Sequence, residues 1–532
     1  MRENGNCDMK RLVTGILSSA IILLISSLPS GASVAEETAD QIHFSIISNT
    51  AVTFDWVGTD SQINYGTDSS TLSLSSSAEP AEFLPVTSPW VSDPGPYWEA
   101  KLTGLTEDTE YFYRIGSNGG VHSFRTPPVR GMANFRVCST SDMQETSLEC
   151  VAMFSQIAGM EPAIVITTGD LTGGDSGGQP QVGERFHDAM VWSLSAAWMP
   201  SWGNHDWENP SKDDLRTYKG RFDIPNQQTS PSSPAVSCCG EDWGWFDYGN
   251  TRFISMPERF NSSTTWQDWS KDVRPVFSEA QDDPKIRFIV TYGHQSAYTS
   301  ADGRYPGSGT QQGILDGLHS SFSKYKLDLT GHNHQYERYS LSSGMTYIIN
   351  STAGSYYRGW ENPVKPENCN FRAIHYGILV LDFSENVIQG QFVCSLGTSQ
   401  SGTYYKALEE DVCDAPGSVI DDFTIYADGY TAVGKTPQQV SNDAYITNYP
   451  NPFHQSTNIS YSLIYAANVK IEIYDLLGRK LSTLVNEVKE KGDYTVLWVA
   501  KDENGNDLPG GLYIAHICTD RKNSISRLML MR

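Results

Sequence analysis

Five short segments between positions 141 and 334 carry the side chains best suited to hold metal ions. They are Ser141-Asp142, Gly169-Asp170, Gly203-Asn204-His205-Asp206, Gly293-His294 and Gly331-His332-Asn333-His334. Carboxylate, amide oxygen and imidazole are the donors that suit borderline ions such as Zn, Mn and Fe. A single aspartate can bridge two ions, and two ions about 3.5–4 Å apart can clamp a phosphate and activate a water between them. A lone Gly-Asp is nearly always a turn. Here His332 and His334 stand two residues apart, which puts both imidazoles on one side of an extended chain. Four of the 11 histidines fall inside the five segments, so the joint pattern points to one centre.

The elements around these segments suit that reading. Phe135–Ser139, Ala163–Thr168, Ile286–Tyr292 and Leu327–Thr330 read as apolar strands, and Leu148–Gly159 fits a helix. Buried strands alternating with helices predict an α/β domain over residues 130–427, with functional side chains just beyond the carboxyl ends of strands. Residues 40–127 alternate with period two between turn residues, as in Ile42-His43-Phe44-Ser45-Ile46 and Tyr111-Phe112-Tyr113-Arg114-Ile115. That spacing predicts an all-β sandwich, a type of domain that is usually a spacer or binding module. Residues 428–444 are polar and turn-rich, which suits a linker, and 445–532 return to a β-like pattern. The expected architecture is therefore multidomain: all-β sandwich, α/β domain, then a small all-β sandwich.

A chain of 532 residues with 39% hydrophobic residues can bury several cores. Its formal net charge of −24 argues against nucleic acid and anionic membranes as partners. Negative charge also opposes any anionic substrate, so such a substrate would need strong local positive charge, which metal ions supply. The C-terminal segment has ten Lys/Arg against nine Asp/Glu, so nearly all the excess charge lies upstream. Residues 1–35 read as a signal peptide: Lys10 and Arg11, an apolar run from Leu12 to Leu28, then Ala32-Ser33-Val34-Ala35. The alternative is an uncleaved anchor; no later stretch is apolar enough to span, so the mature chain is expected to lack a transmembrane segment. Export makes disulfides plausible among the eight cysteines after Cys7, with Cys394–Cys413 the first pair to try.

Several phrases resemble known families. The five segments are similar to those of the calcineurin-like metallophosphoesterases, and "GHNHQYER" (Gly331–Arg338) resembles the purple acid phosphatase branch. "LTGLTEDTEYFYRIGS" with "HSFRTPP" resembles the fibronectin type III-like domain that precedes the catalytic domain in that branch. Asn448-Tyr449-Pro450-Asn451-Pro452-Phe453, "VKIEIYDLLGRKLSTL" and "DENGNDLPGGLYI" resemble the C-terminal sorting domain of the type IX secretion system. The resemblance implies a four-layer α/β/β/α metallophosphoesterase domain, a secreted or cell-surface location, and the secretion machinery as a partner.

Carried over residue by residue, it implies that Asp142 and His334 bind a first metal, that Asp170 bridges, and that Asn204, His294 and His332 bind a second. It places His205 near the substrate phosphate as a charge stabiliser or proton donor. The expected chemistry is hydrolysis of a small phosphate monoester by a hydroxide generated on two metal ions (Fe, Zn or Mn). A phosphodiesterase or nucleotide hydrolase of the same superfamily is the nearest rival, and a catalytically silent surface-binding protein the next. Two positions depart from the branch. Gly173 stands where an iron-binding tyrosine is usual, and Ala301-Asp302-Gly303-Arg304 replaces later histidines. Arg304 is a candidate for binding phosphate through its guanidinium fork. Met143-Gln144 loosens the first motif. Of the tryptophans near these segments, Trp202, Trp207, Trp243 and Trp245 are candidates for stacking on a leaving group, although core packing is their commoner use.

Overall fold

The computed structural model describes residues 39–81, 96–144, 147–206, 218, 220–229, 241–258, 263–362, 364–396 and 416–430. Toward the C-terminus it describes 445–449, 453, 455–463, 466–475, 479–490, 492–501, 505–519 and 523–530. The expected signal peptide, most of the expected linker, and Trp207 lie outside these residues.

Two sheets form the centre of the α/β domain. The first has six strands in the order Ala197–Ser201, Ile164–Thr168, Phe135–Thr140, Gly377–Phe383, Val387–Cys394 and Val419–Tyr426. The first three run parallel and the last three pair antiparallel. The second has seven: Trp245–Tyr248, Thr251–Ser255, Phe288–Tyr292, Tyr325–Thr330, Thr346–Asn350, Tyr336–Ser340 and Cys369–Ala373. Its central pairs are parallel.

Alternation along the strands explains the layering. In Ile164–Thr168, Ile164 and Ile166 belong to a cluster with Phe288, Val290, Leu327 and Leu329 of the other sheet. Val165, one residue on, belongs to a cluster with Met153, Phe154, Ile157, Phe186 and Trp192 of helices Leu148–Met160 and Gly174–Ser193. On the far side, Ile254, Ile289 and Ile349 pack with Trp269, Val273, Phe277 and Leu315 of helices Ser263–Asp282 and Gly309–Ser321. Each sheet thus buries one face on the other sheet and one on helices, giving the expected α/β/β/α order. Ser147 caps the first helix, accepting from the Cys150 N–H at 3.2 Å. The stretch Gly173–Gly178, which reads as an insertion in sequence, opens helix Gly174–Ser193, with a break at Gly178 (φ 66°, ψ −165°).

The N-terminal sandwich pairs two four-stranded sheets around Phe44, Phe54, Tyr113 and Phe124, with Phe54 and Tyr113 centroids 4.6 Å apart. It is more than a spacer. Residues Ala35–Thr431 form one compact unit, and the sandwich core is continuous with the inter-sheet core of the α/β domain. Polar ties cross the junction: the Tyr113 hydroxyl donates to the Leu194 carbonyl (2.9 Å), Ser193 Oγ to the Ile42 carbonyl (2.8 Å), and Lys101 pairs with Asp223 (3.0 Å).

The C-terminal unit is a small β-sandwich. Tyr445–Tyr449, Ser456–Leu463 and Gly492–Val499 form one sheet; Lys480–Lys489, Ala467–Asp475, Gly511–Cys518 and Asn523–Leu530 form the other. Ile459, Val469, Ile471, Trp498 and Leu528 lie in its core.

Cys138, Cys150 and Cys369 are buried, unbridged thiols, and burial pushes each up to about 12. Cys394 is disulfide-bonded, and so, separately, is Cys518; Cys413, the partner expected for Cys394, lies outside the described residues. Among the described residues no helix is long and apolar enough to cross a membrane.

Candidate metal centre

Five strands that end at the same edge of the two sheets deliver the candidate donors. Asp142 follows Phe135–Thr140, Asp170 follows Ile164–Thr168, Asn204 follows Ala197–Ser201, His294 follows Phe288–Tyr292, and His332 and His334 follow Tyr325–Thr330. Four of these residues turn in through left-handed backbone: Asp142 (φ 63°), Asp170 (50°), His332 (73°) and His334 (58°). Asp and His tolerate that region better than most residues, yet such positions cost about 1–3 kcal/mol and cluster at functional sites. Two glycines make room. A Cβ on Gly331 would lie 2.9 Å from Asp142 Oδ2 and 2.7 Å from the Thr168 carbonyl. One on Gly203 would strike the backbone N–H and carboxylate of Asp170.

The structure brings all six candidates together. His294 Nε2 lies 3.2 Å from Asp170 Oδ2, 3.1 Å from Asn204 Oδ1 and 3.0 Å from His332 Nδ1. His334 Nε2 lies 3.3 Å from Asp142 Oδ1. Asp170, His294 and His332 form a compact donor group, with ligand atoms all within 4.8 Å of one another. The outer nitrogens of two imidazoles are committed elsewhere. His294 Nδ1–H donates to the Thr168 carbonyl (2.8 Å) and His334 Nδ1–H to the Tyr356 carbonyl (2.7 Å), so each Nε2 faces inward.

The donor set fits two metal ions. Asp142 Oδ1 and Asp170 Oδ2 are buried without a hydrogen-bond donor, an arrangement that is costly unless a cation satisfies them. Ligand atoms on one ion, bonded at about 2.0–2.2 Å, sit about 3 Å from their neighbours, which is the spacing found here. The buried carboxylates favour the protonated form of His294. Burial depresses His294, but the adjacent Asp170 carboxylate outweighs it and holds the ring up at about 10. Burial likewise pushes Asp142 up, and the pairing with His334 and the Ser351 hydrogen bond hold it well below the usual carboxylate range.

A supporting layer fixes these groups. Asp142 Oδ2 accepts from Ser141 Oγ (2.7 Å), from the His332 N–H (2.9 Å) and from the Ser351 hydroxyl. Asp206 accepts from the Gly203 and Leu171 N–H groups, at 2.7 and 2.8 Å, binding the two loops that carry Asn204 and Asp170. The His205 N–H donates to Asp170 Oδ1 (2.8 Å), which holds the His205 backbone against the centre. Arg304 also comes to the site: its Nη1 donates to the His332 carbonyl (2.8 Å). Burial and the neighbouring Arg358 charge bring its guanidinium down to about 10.

Four contributors escape the sequence reading: Ser351, Tyr356, Arg358 and the side chain of Gln144. The strand-end rule that finds His294 would also point to Ser351, which follows strand Thr346–Asn350. Gln144 is buried, its Nε2 is 3.4 Å from His334 Nε2, and its Oε1 has no partner, so its amide is a further donor near the first position. Gly173 leaves its place to two glutamines: a Cβ there would be 2.8 Å from Gln181 Oε1 and 3.2 Å from the Gln144 carbonyl. Trp202 and Trp243 are core residues, both 2% exposed, and Trp245 packs on Trp243 at 5.9 Å.

Comparison with known proteins agrees with this geometry. Residues 39–126 match the purple acid phosphatase N-terminal domain, 135–336 the calcineurin-like phosphoesterase family, and 447–531 the secretion system C-terminal sorting domain. Purple acid phosphatase 21 of Arabidopsis thaliana is 24% identical over 253 residues, covering 46% of this chain and 54% of the relative. The chain thus spans about half the length of that curated relative. The structure of purple acid phosphatase PPD1 from yellow lupin (Lupinus luteus) seeds superposes with a TM-score of 0.57 at 17% identity, covering 73% of this chain and 74% of that one. A structure of PhoD gives 0.50 at 10% identity, over 70% and 89%; both likenesses concern the fold.

The fold and the gathered donor set are those expected of a dinuclear metallophosphoesterase domain of the calcineurin-like kind, the family that residues 135–336 match. A match to the purple acid phosphatase N-terminal domain precedes that segment, and a match to the secretion system C-terminal sorting domain follows it. Such a sorting domain places the protein outside the cell or on its surface.

Proposed function

We propose that the protein is a secreted phosphatase that hydrolyses phosphate monoesters at a two-metal centre held by Asp142, Asp170, Asn204, His294, His332 and His334. The observation that carries this reading is the pair of buried carboxylate oxygens, Asp142 Oδ1 and Asp170 Oδ2, that have no donor and face inward-pointing imidazoles. Two metal ions bound there supply the local positive charge and the lowered water pKa that phosphate hydrolysis needs.

The chain's own groups do the rest. Asp170, whose Oδ2 faces His294, is the bridging ligand in this reading. Arg304, anchored on the His332 carbonyl, brings a charge that suits a phosphoryl group into an otherwise acidic protein. His205, tethered through its N–H to Asp170, is the proton donor to the departing alcohol. The sorting domain hands the chain to an export machinery, and the name of the curated relative is that of a phosphatase.

The test is one purified sample on which metal content and turnover of a monoester and diester panel are both measured. Two bound metals with faster monoester turnover support the proposal. Faster diester turnover assigns the site to diesters instead. No bound metal and no turnover after addition of Mn, Zn or Fe would leave a binding protein.

A further inference from the structure

Two arginines meet at the rim of the centre on loops that are far apart in sequence. Arg304 lies in the turn after Ala301, and Arg358 in the segment after strand Thr346–Asn350. The loops are stitched together by backbone. Ala301 bridges Trp360, the Asp302 N–H donates to the Gly359 carbonyl (2.8 Å), and the Glu361 N–H donates to the Ser300 carbonyl (2.9 Å). Glu361 Oε2 also accepts from the Gly303 N–H (3.0 Å). Arg372 closes the back of this platform, its guanidinium 4.4 Å above the Trp360 ring.

The platform holds each arginine against one side of the centre. Arg304 donates to the carbonyl of His332. Arg358 donates through Nη2 to the Tyr356 hydroxyl (3.2 Å) and lies 5.6 Å over that ring. The Tyr356 carbonyl in turn holds His334, and the two rings meet edge-on at 4.6 Å. Arg358 Nε is buried with no hydrogen-bond partner among the described residues. Their like charges act on one another. Of the two, Arg304 also feels the Asp142 and Asp170 carboxylates, but among the described residues neither guanidinium fork is taken up by a carboxylate in a bidentate pair, which leaves both available to an anion.

We propose that Arg358 and Arg304 together form an anion clamp that reads the second negative charge of a phosphate monoester, and so determine preference for monoesters over diesters. This rests on the phosphatase reading above. A monoester presents a doubly charged phosphoryl group with three terminal oxygens, of which one would be left for the clamp when the metal centre holds the others. In a diester that third position carries an ester group and no charge, so the clamp gains nothing from it. Tyr356, 59% exposed beside Arg358, is the adjoining surface for the alcohol part.

The test is Arg358→Ala and Arg358→Lys in the full metal-loaded chain, assayed with p-nitrophenyl phosphate and bis(p-nitrophenyl) phosphate, with metal content measured in parallel. Arg358→Ala is expected to keep both metals and lower kcat/KM for the monoester roughly 10- to 100-fold, with the diester changed less than about 3-fold. Arg358→Lys keeps the charge without the fork and is expected to fall between. Equal losses on both esters, or an unchanged monoester rate, would overturn the clamp. If metal-loaded wild type hydrolyses neither ester, the phosphatase reading fails by itself. The clamp is then judged by calorimetry with inorganic phosphate, where equal affinity in wild type and Arg358→Ala overturns it and a roughly 10-fold or greater weakening supports it.

Discussion

Ser351 donates its hydroxyl to Oδ2 of Asp142 across 209 residues of sequence, and its own Oγ accepts from the His334 N–H at 2.8 Å. One hydroxyl therefore sets the orientation of both donors to the first metal position. Ser351→Ala is expected to weaken metal at that position about 10- to 100-fold while leaving the second nearly unchanged. Competition titration with a chromophoric chelator would measure this, and two unchanged binding steps would remove Ser351 from the site.

Asp170→Asn replaces the carboxylate proposed to bridge. Metal content should fall well below two per chain and kcat by on the order of 10³-fold. Wild-type metal content and rate would show that Asp170 does not bridge.

His205→Ala should retain both metals and lose kcat by about 100-fold. The loss should be largest for esters of poor leaving alcohols and small for p-nitrophenyl esters, because only the former need a proton. A uniform loss across leaving groups would assign His205 to phosphate binding, and loss of metal would make it a structural tie.

Gly331→Ala pushes a methyl group against Ser141 Oγ, the Thr168 carbonyl and Asp142 Oδ2. The variant should lose about 1–3 kcal/mol of stability and the metal that Asp142 serves. Denaturant melts of the metal-free and metal-loaded forms would separate the two effects.

Asp328 supplies a pH prediction away from the metals. It is 1% exposed, and burial raises its carboxyl to about 7 although the Thr291 hydroxyl bonds it at 2.5 Å. In the unfolded chain the group titrates near 3.9, roughly. Between those values the folded state keeps the proton and the unfolded state loses it. This contribution is full below the unfolded value and is lost as pH rises through about 7. Asp328→Asn, which keeps a neutral acceptor for Thr291, should flatten that decline and melt higher than wild type at pH values above about 7. Identical melting profiles against pH would refute the assignment.

Much of the centre is legible in sequence because glycine and strand ends leave a local mark. Asp142, Asp170, Asn204, His294 and His332 each follow an apolar strand, and Gly331 precedes His332 where no Cβ fits. Other parts leave no such mark. Tyr356 acts on His334 through its backbone carbonyl, which any residue would provide. Arg358 matters only because its loop is tied to Ala301–Gly303, more than fifty residues earlier. Helix Gly174–Ser193 opens on glycine, serine and proline, poor helix formers, and is held by the packing of Val182, Phe186, Ala189 and Trp192. The alternating pattern of strand Ala39–Ser48 looks the same whether its apolar face meets its own partner sheet or a neighbouring domain.

That last ambiguity has a consequence for how the protein can be handled and how it can change. Because the sandwich and the phosphoesterase domain share one continuous core, a fragment beginning near residue 130 would carry an open apolar wound where Ile42, Phe44 and Phe54 normally sit. The two are therefore expected to need each other for folding, and the pair is the natural unit of expression.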